Sequence, residues 1–197
     1  IENIEELVDK IPISSGLKNY YLEQAGIYIS YLVNKVYSEN KIELEIGKPL
    51  GYLGLYTNKC WVIKGNVGDD LGYYMEGGEI IVDGNARNRI GCGMKSGKIK
   101  IRESAGDCVG ICMSGGEIAI DKNVGKYVGC YMEGGKIKVE GNAGDGVGGD
   151  MEGGEIVIKG TTGKEIGCCM EGGEIFIANL DPSNLSKKMI GGKIYKG

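Results

Sequence analysis

The chain has 197 residues, with 23 basic and 27 acidic side chains for a net charge of −4, seven cysteines and no histidine. Neither sign of charge gathers into a long block, which argues against nucleic acid and membrane surfaces as partners and favours proteins or small solutes. The missing histidine removes the commonest general base, the commonest metal ligand and every Ser-His-Asp or Cys-His arrangement, so an independent hydrolase is disfavoured.

The N-terminal stretch IENIEELVDK lacks the basic-then-apolar pattern of a secretion signal. No apolar run approaches the roughly 18 residues of a membrane span. A cytoplasmic chain with reduced thiols is expected, and the odd number of cysteines forbids complete pairing within it. Ile4, Leu7, Val8 and Ile11 stand at helical spacing and Pro12 ends the pattern. After the Ser14, Ser15, Gly16 turn a second pattern runs through Leu17, Tyr20, Tyr21 and Ala25, and beyond Gly26 a third through Ile29, Leu32, Val33 and Val36. Two or three short helices are expected over residues 1–40, capping one open end of the remaining chain. Ile42, Leu44 and Ile46 alternate as a strand does, and Gly47 and Pro49 come after them as a turn. This stretch resembles a degenerate first repeat with one inserted residue.

From near Trp61 the chain becomes regular. All seven methionines, Met75, Met94, Met113, Met132, Met151, Met170 and Met189, lie 19 residues apart within the frame GxxxGxxMxGGxIxV. A fixed period of this length marks units that cannot bury a core alone and must stack. Five residues after each methionine comes Ile80, Ile99, Ile118, Ile137, Ile156, Ile175 or Ile194, and two further on a second apolar column begins at Val82. The residue just before that isoleucine is Glu79, Lys98, Glu117, Lys136, Glu155, Glu174 or Lys193, so five of six successive steps join opposite charges. Parallel strands about 4.8 Å apart make residues one period apart direct neighbours, which explains the alternation. A helical solenoid does not.

Asn66, Asn85, Ser104, Asn123, Asn142 and Thr161 form a further column suited to a corner ladder, bonding to one another and to turn backbone enclosed inside. Glycines 68, 72, 77 and 78 and their repeats supply turns with positive φ or close approach between coils. The expectation is an all-β fold: a single-stranded, right-handed parallel β-helix over residues 41–197, of about seven 19-residue coils with two or three short strands in each. Handedness is inferred from the near-universal right-handed crossover.

Candidate chemistry is sparse. Gly144, Gly146 and Gly149 match the GxGxxG dinucleotide spacing, but they sit within the repeat frame, where a strand comes next instead of a helix. Cys92, Cys130 and Cys168 share a column on alternate coils, about 9.6 Å apart at twice the strand spacing, beyond disulfide or shared-metal reach. Cys112 and Cys169 lie one column over, Cys108 nearer the turn and Cys60 outside the frame; small buried core thiols are expected. Glu133, Glu152 and Glu171 stack on consecutive coils with Asp145, Asp150 and Glu165 nearby, most simply a solvated acidic face, otherwise a seat for a basic partner or a divalent cation. Arg87 and Pro182 interrupt one glycine column and Ser186 another, so distortion is expected in the last coil. No catalytic, cofactor-binding or metal residue is expected.

The stretch SYLVNKVYSENKIELEIGKPLGYLGLYTNKCWVIKGNVGDDLGYYMEGGEIIVDGNARNRIGCGMKSGKIKI, with its GG-x-I-x-V strands, resembles the C-terminal domain of the large (α) subunit of glutamate synthase. The β-helix subunit of formylmethanofuran dehydrogenase shares the frame. The likeness implies a right-handed parallel β-helix that holds no catalytic residue and braces a glutamine amidotransferase against a flavin and iron–sulfur synthase. Nothing in this sequence resembles the nucleophilic cysteine, the flavin-binding barrel or the cluster cysteines of those partners. The expectation is therefore a scaffold subunit serving glutamate biosynthesis and ammonia assimilation, with protein partners and a possible homo-oligomer. Alternatives are a formylmethanofuran dehydrogenase-type complex, which is expected to lack the helical lead-in, and an independent hydrolase such as an esterase using serine or cysteine without histidine, for which Ser114, the residue that replaces the usual Glu or Lys beside its methionine, is the position to test.

Overall fold

A computed structural model describes residues 15–35 and 41–197. The expected helix at Ile4–Ile11 and the apolar position Val36 lie outside them. In place of two short helices the structure has one helix, α1 (Ser15–Lys35), that runs unbroken through Gly26. By sequence Gly26 reads as a separator. Its actual role is contact: a Cβ there would stand 1.7 Å from the Gly51 carbonyl oxygen, so the helix lies on the first coil at a distance only glycine permits. Ile29 and Val33 are buried against that coil. The Ser30 hydroxyl donates to the Tyr52 carbonyl and accepts from the Gly54 amide, both at 2.9 Å, and the Asn34 amide donates to the Leu55 carbonyl.

The rest is one parallel sheet of nine strands in sequence order: β1 (Lys41–Glu45), β2 (Cys60–Lys64), β3 (Glu79–Asp83), β4 (Lys98–Ile101), β5 (Glu117–Ile120), β6 (Lys136–Val139), β7 (Glu155–Ile158), β8 (Glu174–Ile177) and β9 (Lys193–Lys196). Every strand pairs residue n with residue n+19, as in Ile80 with Ile99 and Ile99 with Ile118. The chain is a right-handed parallel β-helix of eight turns, one more than the methionines count. The uncounted coil lacks a methionine because Thr57 stands in that place, and Trp61 stands in the isoleucine column. Trp61 is fully buried and its indole N–H donates to the Thr57 hydroxyl at 3.0 Å, so a larger ring and a smaller polar residue together fill the space of Met and Ile.

The expected insertion in this coil is present. Ile46 answers to Gly65, since their amides donate to Lys64 and Asp83, but Leu53 answers to Leu71, only 18 residues on, since their carbonyls accept from Gly72 and Gly91. The extra residue falls in the corner after β1. The coil returns to step before β2, where Lys59 answers to Gly78.

Each coil carries one regular strand, against the two or three expected. The opposite segment turns to the left-handed region at alternate residues, as at Asp70 (φ 61°), Gly72 (66°) and Tyr74 (49°), which no strand can do. Its backbone groups bond instead to the coils on either side, with two isolated bridges at Val67–Ala86 and Ile166–Leu185. The methionines from Met75 to Met170 and the isoleucines from Ile80 to Ile175 are wholly buried, so the interior is filled by side chains from end to end. At roughly 25 cal/mol per Å² of apolar surface, each such side chain contributes about 2 kcal/mol.

The interrupted last coil keeps its register. Asp181 caps a 3-10 turn at Pro182–Asn184 by accepting from the Ser183 amide, and β9 pairs with β8 in frame. Ser186 is tolerated in a glycine column for a backbone reason. Gly110 and Gly129 hold φ 69° and 65°, whereas Ser186 stays out of the left-handed region, so its side chain meets no such strain. Thr162 is less well accommodated: it occupies a column of Val and Ala, is buried, and its hydroxyl meets no partner. Thr162→Val removes an unsatisfied hydroxyl at constant shape and is expected to raise stability by about 1 kcal/mol, read from urea unfolding.

Candidate functional site

Chemistry on this column can only be built from side chains that point outward. The asparagine column is the first such set. Asn66, Asn85, Asn123 and Asn142 each accept, through the side-chain oxygen, from the backbone amide one coil later, at 2.8–3.1 Å. The ladder exists as expected, but it lies on the exposed surface and not inside. A second ladder beside it was not anticipated. Asp69, Asn88, Asp107 and Asp145 accept from the amides of Asn88, Asp107, Lys126 and Lys164 at 2.7–3.0 Å. Its signal is a 19-residue recurrence of Asp and Asn, interrupted at Lys126, which cannot accept. Both ladders give corner amides partners that water would otherwise supply.

The strand-edge charges pair where the alternation predicts, with Lys98–Glu117 at 3.7 Å, Lys136–Glu155 at 2.6 Å and Lys193–Glu174 at 3.9 Å. Beside them runs a shallow groove of about 770 Å³, floored by Gly78, Gly97, Gly116 and Gly135 and edged by Glu79, Lys98, Glu117 and Lys136. Its charges are exposed and alternate in sign, so it gathers no converging acid and base.

Glu133, Glu152 and Glu171 stand exposed on successive coils. Among the described residues no three acidic or cysteine side chains come close enough to hold a metal ion. The expected solvated acidic face is the arrangement observed. Gly144, Gly146 and Gly149 lie in a turn that leads into β7, not into a helix, so the dinucleotide spacing carries no phosphate cradle. Ser114 is exposed on the turn after Met113, and no histidine exists to activate it.

The cysteines correct an expectation. All seven are free, but only Cys130 is buried; the others are half-buried and Cys112 is exposed. Cys60 opens β2; the other six lie along the segment of left-handed residues. Burial pushes the Cys92 and Cys130 thiols up to about 11, and burial also raises Cys108 and Cys112. These thiols stay protonated and are poor nucleophiles near neutral pH. Because the folded values exceed the ordinary 9, the stability they contribute is present below pH 9 and is lost as pH rises toward 11. A Cys92→Ala, Cys130→Ala double variant is expected to lose less stability than the parent between pH 9 and 11, measured by urea titration at stepped pH. Iodoacetamide at pH 8 is expected to label Cys112 well before Cys130.

The same segment holds the one deeply buried charge among the described residues. Asp70 is 1 % exposed, and Arg89 on the next coil grips it with two bonds, Nε to Oδ1 at 2.9 Å and Nη2 to Oδ2 at 2.6 Å. Hydrogen bonding to Asp70 raises the Arg89 pKa above its already high value. The pair is a clamp between coils.

These observations define a class: a right-handed parallel β-helix whose interior is full and whose outward groups mostly serve the stacking of one coil on the next. The family model of the GXGXG motif matches residues 23–194, and the chain belongs to that family. A search of the curated proteins found no match. Among the described residues no helix is long and apolar enough to cross a membrane.

Proposed function

We propose that this chain is a non-catalytic scaffold subunit of a glutamate-synthase-type complex, bracing a glutamine amidotransferase against a flavin and iron–sulfur synthase subunit in the cytoplasm. The observation that carries the reading is the family match from residue 23 to residue 194, which takes in the later part of the lead-in helix together with the coils. That helix is the feature expected to be missing from the formylmethanofuran dehydrogenase subunit, so its presence favours the first complex over the second. The filled interior supports a role in presenting surfaces, since a site for small substrates needs a concave, partly apolar enclosure.

The test is purification of the chain from its native cell under mild conditions, with its companions identified by mass spectrometry. The expected companions are an amidotransferase and a flavoprotein synthase. A molybdenum or tungsten protein in their place would assign the chain to the other complex. Ester hydrolysis by the purified chain that vanished in Ser114→Ala would overturn the non-catalytic reading.

A further inference from the structure

In an extended strand adjacent side chains leave on opposite faces. The segment before each methionine from Met75 to Met170 behaves differently, because its second residue is left-handed, as at Tyr74 (φ 49°), Tyr131 (55°) and Cys169 (55°). The turn brings two consecutive side chains onto one side, and the rings of Tyr73 and Tyr74 accordingly meet at 4.6 Å. In the coil of Met170 both members of the pair are cysteines. The Sγ atoms of Cys168 and Cys169 lie 3.7 Å apart, and both residues are half-buried and reachable from solvent. Asp150 and Lys188 occupy the column of Cys169 one coil before and one coil after, and the Asp150 amide donates to the Cys168 carbonyl at 2.7 Å. The pair is thus tied to the preceding coil.

We propose that Cys168 and Cys169 form a dithiol binding site for a trivalent arsenical, or for a thiophilic centre of the same bent, two-thiolate chemistry. Two sulfurs 3.7 Å apart span one edge of a near-tetrahedral angle at a centre about 2.3 Å from each, the usual metal–thiolate length. A linear two-thiolate centre needs sulfurs about 4.6 Å apart, twice that length, and fits poorly. Among the described residues no third protein donor converges on the pair, which selects a centre that two thiolates satisfy. With an organoarsenic oxide the reaction balances without an oxidant. Each thiol gives up its proton, the arsenic oxygen leaves as water, two arsenic–sulfur bonds form, and arsenic remains trivalent. None of the other five cysteines has a cysteine beside it in the chain.

The experiment treats the reduced full chain with one equivalent of phenylarsine oxide at pH 7.5 and records the intact mass, peptide map and melting temperature. One phenylarsenic group is expected per chain, on the peptide that contains Cys168 and Cys169. It should survive excess 2-mercaptoethanol, leave on addition of dithiothreitol, and raise the melting temperature while bound. Cys168→Ala and Cys169→Ser should each abolish the adduct, and Cys130→Ala should keep it. Other coils place Tyr, Ile, Gly or Asp in these two columns, so the variants are expected to fold, and their unmodified melting temperatures check this. No adduct on the folded parent, an adduct that monothiol removes, or an adduct that persists in Cys168→Ala would each overturn the proposal.

Discussion

Replacing Arg89 by alanine is expected to lower the unfolding free energy by about 3 kcal/mol, the cost of leaving a buried carboxylate without its counter-charge. The asymmetry of the pair sharpens the expectation. The Asp70 side chain is 2 % exposed and that of Arg89 44 %, so the carboxylate depends on the guanidinium far more than the reverse. Asp70→Gly leaves Arg89 free to reach water and should cost much less, the more so because Asp70 holds φ 61°, a conformation glycine adopts without strain. The double variant Asp70→Gly, Arg89→Ala should be more stable than Arg89→Ala alone, since it removes the buried carboxylate and Gly146 already fills this column in another coil. Urea unfolding of the four proteins measures the cycle. An Arg89→Ala protein within about 0.5 kcal/mol of the parent, inside the usual range for surface changes, would mean that the clamp contributes little.

Gly129→Ala should cost about 2–4 kcal/mol, from left-handed strain and core overpacking together. Three alternate residues in this coil are left-handed, Tyr127 at φ 60°, Gly129 at 65° and Tyr131 at 55°, and only the middle one is glycine. Backbone conformation alone therefore does not select glycine here. The difference is direction: Tyr127 and Tyr131 project outward and are half exposed, whereas a Cβ on residue 129 would stand 2.4 Å from the Ile156 Cδ1 in the packed interior. Tyr127→Ala and Tyr131→Ala keep the same strain and add no clash, so they should lie within about 1 kcal/mol of the parent. Combining Gly129→Ala with Ile156→Val removes the offending methyl and should recover part of the loss. Failure to recover any would place the whole cost in the backbone.

The period of 19 was legible because a parallel stack repeats its environment without change of face. Met113, Ile118 and Ile120 meet the same neighbours as Met94, Ile99 and Ile101, and the charge alternation disclosed which residues touch. What escaped the sequence has physical reasons. Gly26 looked like a break because glycine weakens helices, and the packing of α1 on Gly51, which outweighs that weakness, is not local. The extra strands were expected from coil length alone, and left-handed tyrosines and cysteines cannot be recognised where only glycine announces such a backbone. The outward placement of the thiols stems from that same backbone and was lost with it. The Asp70–Arg89 clamp was hidden because a single opposite-charge step in an outward column looks like any surface pair until burial is known. The absence of histidine, by contrast, was a compositional fact, and it weighed against catalysis before any geometry was available.

The first coil takes on a residue after β1 and gives one back before β2. Strands thus act as the ruler of this molecule, and corners as its slack. Loop grafts or natural length variants should be accepted at the corners whenever the count is restored before the next strand, while a single residue lost within β5 would turn the inward side chains of that strand past the loss to the opposite face.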